Sequence, residues 1–257
     1  MFEELLVVVP HSGIVIPAEI DPESLAEDFS ILMRNVDWHT DWLYDFRDFL
    51  RNDQIVFPFC SIVLEANRHP ADINESVPLK DALSRPVYKK GAEPDETVRV
   101  ALSRKYLVPF HNEISRIIAH KKRLLLDAHS TVTARGVADN QIELMNYQIT
   151  GSNSKPQYFC PDIVIETYAD ELKKRLPGIN ITVNESKYDS VYGHVCGAHS
   201  VCGFNQKGMK VPAILQETNQ RLYMNSDRTV NQQALEKLRR AFGESLEVLN
   251  ERVFSYR

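Results

Sequence analysis

Two histidines, His11 and His129, and one glutamate, Glu217, stand where short apolar runs give way to polar residues. Leu5–Val9 leads into Pro10-His11-Ser12-Gly13, the run through Leu124–Leu126 into Asp127-Ala128-His129-Ser130, and Val211–Gln216 into Glu217. A fourth run, Ser61–Glu65, leads into Ala66-Asn67-Arg68. In open α/β sheets, ligands bind outside the C-terminal ends of such strands. Two neutral imidazoles and one carboxylate leave an open position on Zn²⁺ for a water, whose pKa falls to about 7. A further carboxylate that does not bind the metal can take the water's proton and pass it to a leaving amine. An arginine with an asparagine beside it can grip a substrate carboxylate in a bidentate fork. Taken singly, a histidine after a strand is more often structural, and a glutamate ending a strand is ordinary; the four placements together carry the expectation.

The elements that must position these residues are legible as alternating patterns. Strands are expected at Leu5–Val9, Gln54–Phe57, Ser61–Glu65, Arg123–Asp127, Ile179–Val183 and Val211–Gln216, and helices near 39–51, 97–121, 162–175 and 228–253. Short β-branched runs between long helical patterns are the signature of a mixed or parallel sheet covered by helices. The continuous apolar runs Val7–Val9 and Leu124–Leu126 suit central strands buried on both faces. In the last helix Leu235, Leu238, Phe242, Leu246, Leu249 and Val253 step by three and four residues, forming one stripe for the core. Residues 70–96 read as a long excursion and 188–210 as an irregular, glycine-rich segment of the kind that forms functional lids. No repeat or low-complexity tract interrupts the pattern, so a single domain over 1–257 is expected.

With 257 residues, 43 % hydrophobic and 25 % charged, the chain has the composition of an ordinary soluble protein. Its net charge of −5 argues against a nucleic-acid partner, which calls for a basic face. The N-terminal apolar run is far shorter than a membrane span of about 20 residues, and no basic region precedes it. Cys60, Cys160, Cys196 and Cys202 form no CxxC pair, which suits reduced thiols. A cytoplasmic protein with neither membrane nor nucleic-acid partner is the expectation.

The segments VPHSG, VDWHTDWLYDF, ANR, LLLDAHST and LQETNQRLYM, in this order, resemble the N-formylglutamate amidohydrolase family over about Val7 to Met224. That family is distantly similar to the zinc carboxypeptidases. The resemblance implies a mixed, mainly parallel sheet of about eight strands flanked by helices in three layers. It also implies a metal-dependent amidohydrolase acting on the amide bond of an N-acyl amino acid. The reference substrate is N-formyl-L-glutamate, a small carboxylate, and the cofactor is one divalent metal ion, with zinc expected. Carried over by position, His11 and His129 are metal ligands, Glu217 is the general base, and Asn67 and Arg68 form the clamp for the substrate carboxylate.

Departures from the family pattern leave some positions open. Ile14 stands where the carboxypeptidase pattern has a ligand glutamate, so the third ligand comes from elsewhere. Asp37, on which the family's second motif is centred, is the first candidate, with His39 and Asp41 as competitors. Asp37 could equally cap the helix pattern that follows it. Glu65 stands where the family usually has an aspartate and could orient Arg68. Asp127, two residues before His129 on the same side, could support that ring or simply end its strand. In the segment VYGHVCGAHSVCG, Tyr192, His194 and His199 are candidates for closing over the substrate, and His199 for donating to an oxyanion; an exposed loop with incidental histidines is the alternative. Arg135, Arg221 and Tyr223 could lie near the base, with Arg135 and Arg221 as further substrate-binding cations, or the arginines could be solvated. Cys196 and Cys202 match no standard zinc spacing.

Three rival readings follow from the same residues. One is a carboxypeptidase-like or cell-wall peptide amidase of the same metal chemistry. A second is serine chemistry at Ser12 or Ser130, neither of which sits in a GxSxG elbow. The third is a non-catalytic carboxylate-binding relative.

Overall fold

The computed structural model describes residues 1–26, 36–81, 84–132, 139–149, 155–185, 193–200 and 211–255. Six strands form the main sheet: β1 (Leu5–Val9), β2 (Asp53–Val56), β3 (Leu124–Thr131), β4 (Gln141–Met145), β7 (Asn180–Val183) and β8 (Ala213–Asn219), in the order β2-β1-β3-β8-β4-β7. Strands β2, β1, β3 and β8 run parallel, β4 is antiparallel to β8, and β7 is parallel to β4. The short strands β5 (Tyr147–Gln148) and β6 (Gln157–Tyr158) pair only with each other. The sheet is therefore mixed and mainly parallel, as expected, with six strands among the described residues instead of about eight.

Burial explains the central strands. Every residue of β1 is buried, and β3 is buried from Leu124 to Ser130. Alternate residues feed two cores. On one face Val7, Val9, Leu124, Leu126 and Ile214 pack with Tyr44, Phe46 and helices α5 (Asp162–Arg175) and α7 (Gln232–Leu249). The stripe Leu235, Leu238, Phe242, Leu246 and Leu249 faces this core. On the other face Leu6, Val8, Leu125, Ala213 and Leu215 meet helices α3 (Glu96–Leu102) and α4 (Val108–Ile118), which are joined by a π turn over Ser103–Leu107. Side chains of this second set share a face with Asp127, His129 and Glu217, because a strand alternates with period two.

Two expected elements differ, and one strand appears where none was expected. Ser61–Glu65 is not a strand: Val63 N–H and Leu64 N–H both donate to the Cys60 carbonyl, giving tight turns. Its apolar run is buried against the second core without pairing, and burial alone produces the same pattern as a central strand. The helix near 39–51 is confined to α1 (Thr40–Leu43) followed by turns. Strand β4 was not foreseen, since its QIELM sequence mixes apolar and polar residues that are nearly all buried. Helix α2 (Ile73–Ser76) and helix α6 (His194–His199) lie in the two segments read as irregular.

Candidate metal centre

The chain leaves β1 at Val9 and His11 follows two residues later. Gly13 makes the exit possible: a Cβ there would stand 2.3 Å from the Pro58 carbonyl carbon. Only glycine lets the His11 loop lie this close to the chain leaving β2. The His11 carbonyl accepts the Asp37 N–H at 3.1 Å, and Asp37 Oδ2 accepts the Ser130 N–H at 3.0 Å. Asp37 is thereby tied to the ends of both β1 and β3. It does not cap α1 with its side chain, because the N-cap there is His39, at φ 60° and without a side-chain cap bond.

This arrangement brings three donor atoms together. His11 Nδ1 lies 3.1 Å from His129 Nδ1, and Asp37 Oδ2 lies 3.7 Å and 3.5 Å from them, respectively. Three atoms about 2.1 Å from one ion in tetrahedral array are about 3.4 Å apart, so the triangle has the size of a zinc-type ligand set. Among the described residues this is the group of His, Cys, Asp and Glu side chains that could hold a metal ion. His39 and Asp41 are not part of it.

Each imidazole is held from behind. His11 Nε2–H donates to Glu65 Oε1 at 2.5 Å, and His129 Nε2–H donates to Asp127 Oδ1 at 2.8 Å. With Nε2 carrying the hydrogen, Nδ1 is left as the ligand atom, the usual arrangement in carboxylate–histidine–metal sites. Burial alone would lower the His11 pKa, but Glu65 and Asp37 outweigh it and hold it at about 9. His129 behaves alike, burial being overcome by Asp127 and Asp37, so its pKa rises well above normal. Burial pushes the Asp37 and Glu65 carboxyls up, yet the neighbouring histidines bring both down to about 2.

Glu217 faces this triangle from the adjacent strand. It is the register partner of His129 in the β3–β8 ladder, lying within β8 and not at its end. Its Oε2 is shut off from solvent and has no hydrogen-bond partner among the described residues. Burial raises its pKa to about 8, with His129 opposing and Asp37 adding to the shift. A carboxyl of this kind can both hold and release a proton near neutrality.

The group opens into a cleft of about 710 Å³ lined by His11, Asp37, Glu65, Arg68, Arg99 and Glu217, among others. Arg68 donates to the Asn67 carbonyl at 3.2 Å and lies 3.8 Å from Glu75. Asn67 does not join it in the cleft. Its buried Nδ2 donates to Asp127 Oδ2 at 3.2 Å, and its Oδ1 accepts the Val195 N–H at 2.8 Å. The amide is fully engaged in the support of His129 and in docking α6. Arg221 is also elsewhere: β8 ends at Asn219, whose Oδ1 accepts the Arg221 N–H at 2.9 Å, and the 3₁₀ turn breaks the alternation expected of an extended chain. Arg221 borders a neighbouring pocket with Trp38 and Met224, while Tyr223 is buried and donates to the Trp38 carbonyl. Arg135, Tyr192 and Cys202 lie outside the described residues.

His199 turns from the cleft toward α4. His111 Nε2–H donates to the Ala66 carbonyl at 3.0 Å, so His111 Nδ1 accepts from His199 Nε2–H at 3.1 Å. His194 packs edge-on to His111 and beside His69. Two residues of the cleft escaped sequence reasoning: Glu65, read as support for Arg68 and found on His11, and Arg99, which lines the cleft wall. The carboxylate two residues before Asn67 was the available signal for the first; helix α3 gave none for the second.

Fold and site together define an α/β protein with a metal-competent His/Asp/His group at the ends of its parallel strands. The profile of the N-formylglutamate amidohydrolase family matches residues 3–224, and the chain belongs to that family, one of amide hydrolases. The N-formylglutamate deformylase of Pseudomonas aeruginosa is 29 % identical over 142 residues, covering 49 % of this chain and 51 % of that protein. The match thus spans about half the length of the curated relative. The N-formylglutamate amidohydrolase of Ralstonia eutropha JMP134 superposes with a TM-score of 0.71 at 16 % identity, over 98 % of this chain and 96 % of that one. A gene product of Agrobacterium tumefaciens superposes with a TM-score of 0.68 at 16 % identity, covering 96 % and 92 %. These two likenesses show the fold. No helix among the described residues is long and apolar enough to cross a membrane.

Proposed function

We propose that this chain is a metal-dependent amidohydrolase that cleaves N-formyl-L-glutamate to formate and glutamate. The observation that carries the reading is the triangle of His11 Nδ1, His129 Nδ1 and Asp37 Oδ2, with both Nε2 atoms anchored on carboxylates. His11, His129 and Asp37 would hold a divalent ion, zinc by this donor set, and the ion would supply Lewis acidity and lower the pKa of a water. Glu217 takes the proton of the attacking water and delivers it to the departing amine, a transfer suited to a carboxyl near pKa 8. Arg68 binds a substrate carboxylate and so fixes the amide carbonyl over the centre. The sheet holds His129 and Glu217 at a separation set by backbone pairing. The relatives' names supply the substrate, and the buried thiols of Cys60, Cys160 and Cys196 accord with a cytoplasmic setting.

The test is elemental analysis of the purified protein together with turnover of a panel containing N-formyl amino acids, N-acetyl amino acids and short peptides. One bound divalent ion and a clear preference for N-formylglutamate are expected. Preferential cleavage of peptides would replace this reading with a peptidase of the same chemistry.

A further inference from the structure

Among the described residues, Arg99 is a buried cation without a counter-ion. Its residue is 7 % exposed, its Nε donates to the Val77 carbonyl at 2.9 Å, and its Nη2 donates to the Ile73 carbonyl at 2.7 Å and to Asn74 Oδ1 at 3.1 Å. All three acceptors are neutral, and no described carboxylate lies within ion-pair reach of the guanidinium. The contrast with other arginines is clear: Arg85 carries Asp81, Arg175 carries Glu171 and Arg239 carries Asp48. Taking an ion out of water costs several kcal/mol unless an opposite charge meets it. Arg99 nevertheless lines the same cleft as His11, Asp37 and Glu217.

The cleft therefore has two guanidinium groups on its wall. Arg68 follows directly on the Glu65–Asn67 stretch that supports both imidazoles. Arg99 reaches the cleft from α3, with its Nη2 donating to the Ile73 carbonyl of α2. Lys80, also on the cleft wall, adds an exposed cation. A planar guanidinium held rigidly by two carbonyls, with Nη1 making no bond to a described residue, is pre-organised for a carboxylate.

We infer that Arg99 is a specificity-determining residue that binds the second carboxylate of the substrate, the one distant from the scissile amide, and so selects dicarboxylic ligands. This rests on the amidohydrolase reading for the identity of the ligand, but the binding itself can be tested apart from turnover. Calorimetric titration with glutarate and with butyrate compares a dicarboxylate and a monocarboxylate of similar shape. The wild-type protein is expected to prefer glutarate by at least about tenfold, the size of a charge-assisted hydrogen-bond contribution. Arg99→Gln, which keeps a donor for the α2 carbonyls, should abolish that preference and leave butyrate binding unchanged. Arg99→Lys should restore part of it. A wild-type protein that binds the two acids equally overturns the inference, as does an Arg99→Gln protein that still prefers glutarate. Should Arg99→Gln fail to fold, the wild-type comparison and Arg99→Lys decide. A protein that prefers glutarate through Arg99 but hydrolyses no N-formyl amino acid supports this assignment while refuting the proposed reaction. Hydrolysis of N-formylglutamine as fast as N-formylglutamate does the reverse.

Discussion

His129 and Glu217 are direct register partners across the parallel ladder of β3 and β8, so both side chains leave the same face of the sheet at adjacent strands. Their separation is a property of the backbone and does not depend on how a loop packs. If Glu217 carries the proton, Glu217→Gln should keep its metal and fold while kcat falls by about 10²–10⁴. Glu217 Oε2 has no partner to lose among the described residues, so stability should hold. Full activity in a metal-loaded variant would remove Glu217 from the mechanism.

Asp37 contributes both an oxygen to the candidate metal-binding group and an acceptor to Ser130 N–H. Asp37→Ala should lose the ion and also cost about 1–3 kcal/mol by leaving a buried N–H unsatisfied. Asp37→Asn can keep the hydrogen bond while removing the charge, so it should lose metal with less loss of stability. Metal content by mass spectrometry alongside urea denaturation separates the two effects. Activity that survives thorough chelation would instead revive serine chemistry at Ser12 or Ser130.

Glu65 and Asp127 each hold an imidazole through Nε2. Glu65→Ala and Asp127→Ala should weaken metal affinity by about 10–100-fold without touching the ion. Competition with a chromophoric chelator measures this directly. An affinity equal to wild type in both variants would show that the rings are oriented by packing alone.

Acid should destabilise the protein through His111 and His199. Burial, with His199 beside it, pushes His111 down to about 3, and burial, with His194 beside it, pushes His199 down to about 4. Facing them are His69, His194, the Ser115 hydroxyl and the Ala66 carbonyl, with no carboxylate among these groups. Below about pH 6.5 the unfolded chain binds these protons and the folded one does not, so stability falls as pH drops from 6.5 toward 4. The slope approaches about 1.4 kcal/mol per pH unit for each histidine. Urea midpoints at pH 7, 6 and 5 should decline accordingly; a constant midpoint would count against buried neutral rings.

Much of the frame was legible because burial on both faces writes uninterrupted apolar runs, as in Leu5–Val9 and Leu124–Leu126. The same rule misread Ser61–Glu65, where an equally apolar run is buried in turns, because hydrophobicity reports burial and not pairing. Strand β4 was hidden for the complementary reason: Glu143 is buried in it, and a buried carboxylate breaks the pattern that announces a strand. At the centre, His11 and His129 stood out by their position after strands. The orientation of Asp37 did not, since ligand and helix cap share the same local sequence and only the contact to Ser130, 93 positions away, separates them. Asn67 was assigned to the cleft because Asn-Arg reads as a unit, but adjacent residues in a turn point in different directions.

The inward turn of Asn67 makes one amide answerable to two parts of the molecule. Its Oδ1 and carbonyl receive the first N–H groups of α6 from Val195 and His194, while its Nδ2 steadies the carboxylate behind His129. A heritable change at this position would present as two defects with a single origin, a loosened helix and a poorly seated ion. Substitutions elsewhere in α6 should reach only the first of these. Position 67 is therefore where genetic variation in the helix and in the candidate metal centre becomes inseparable.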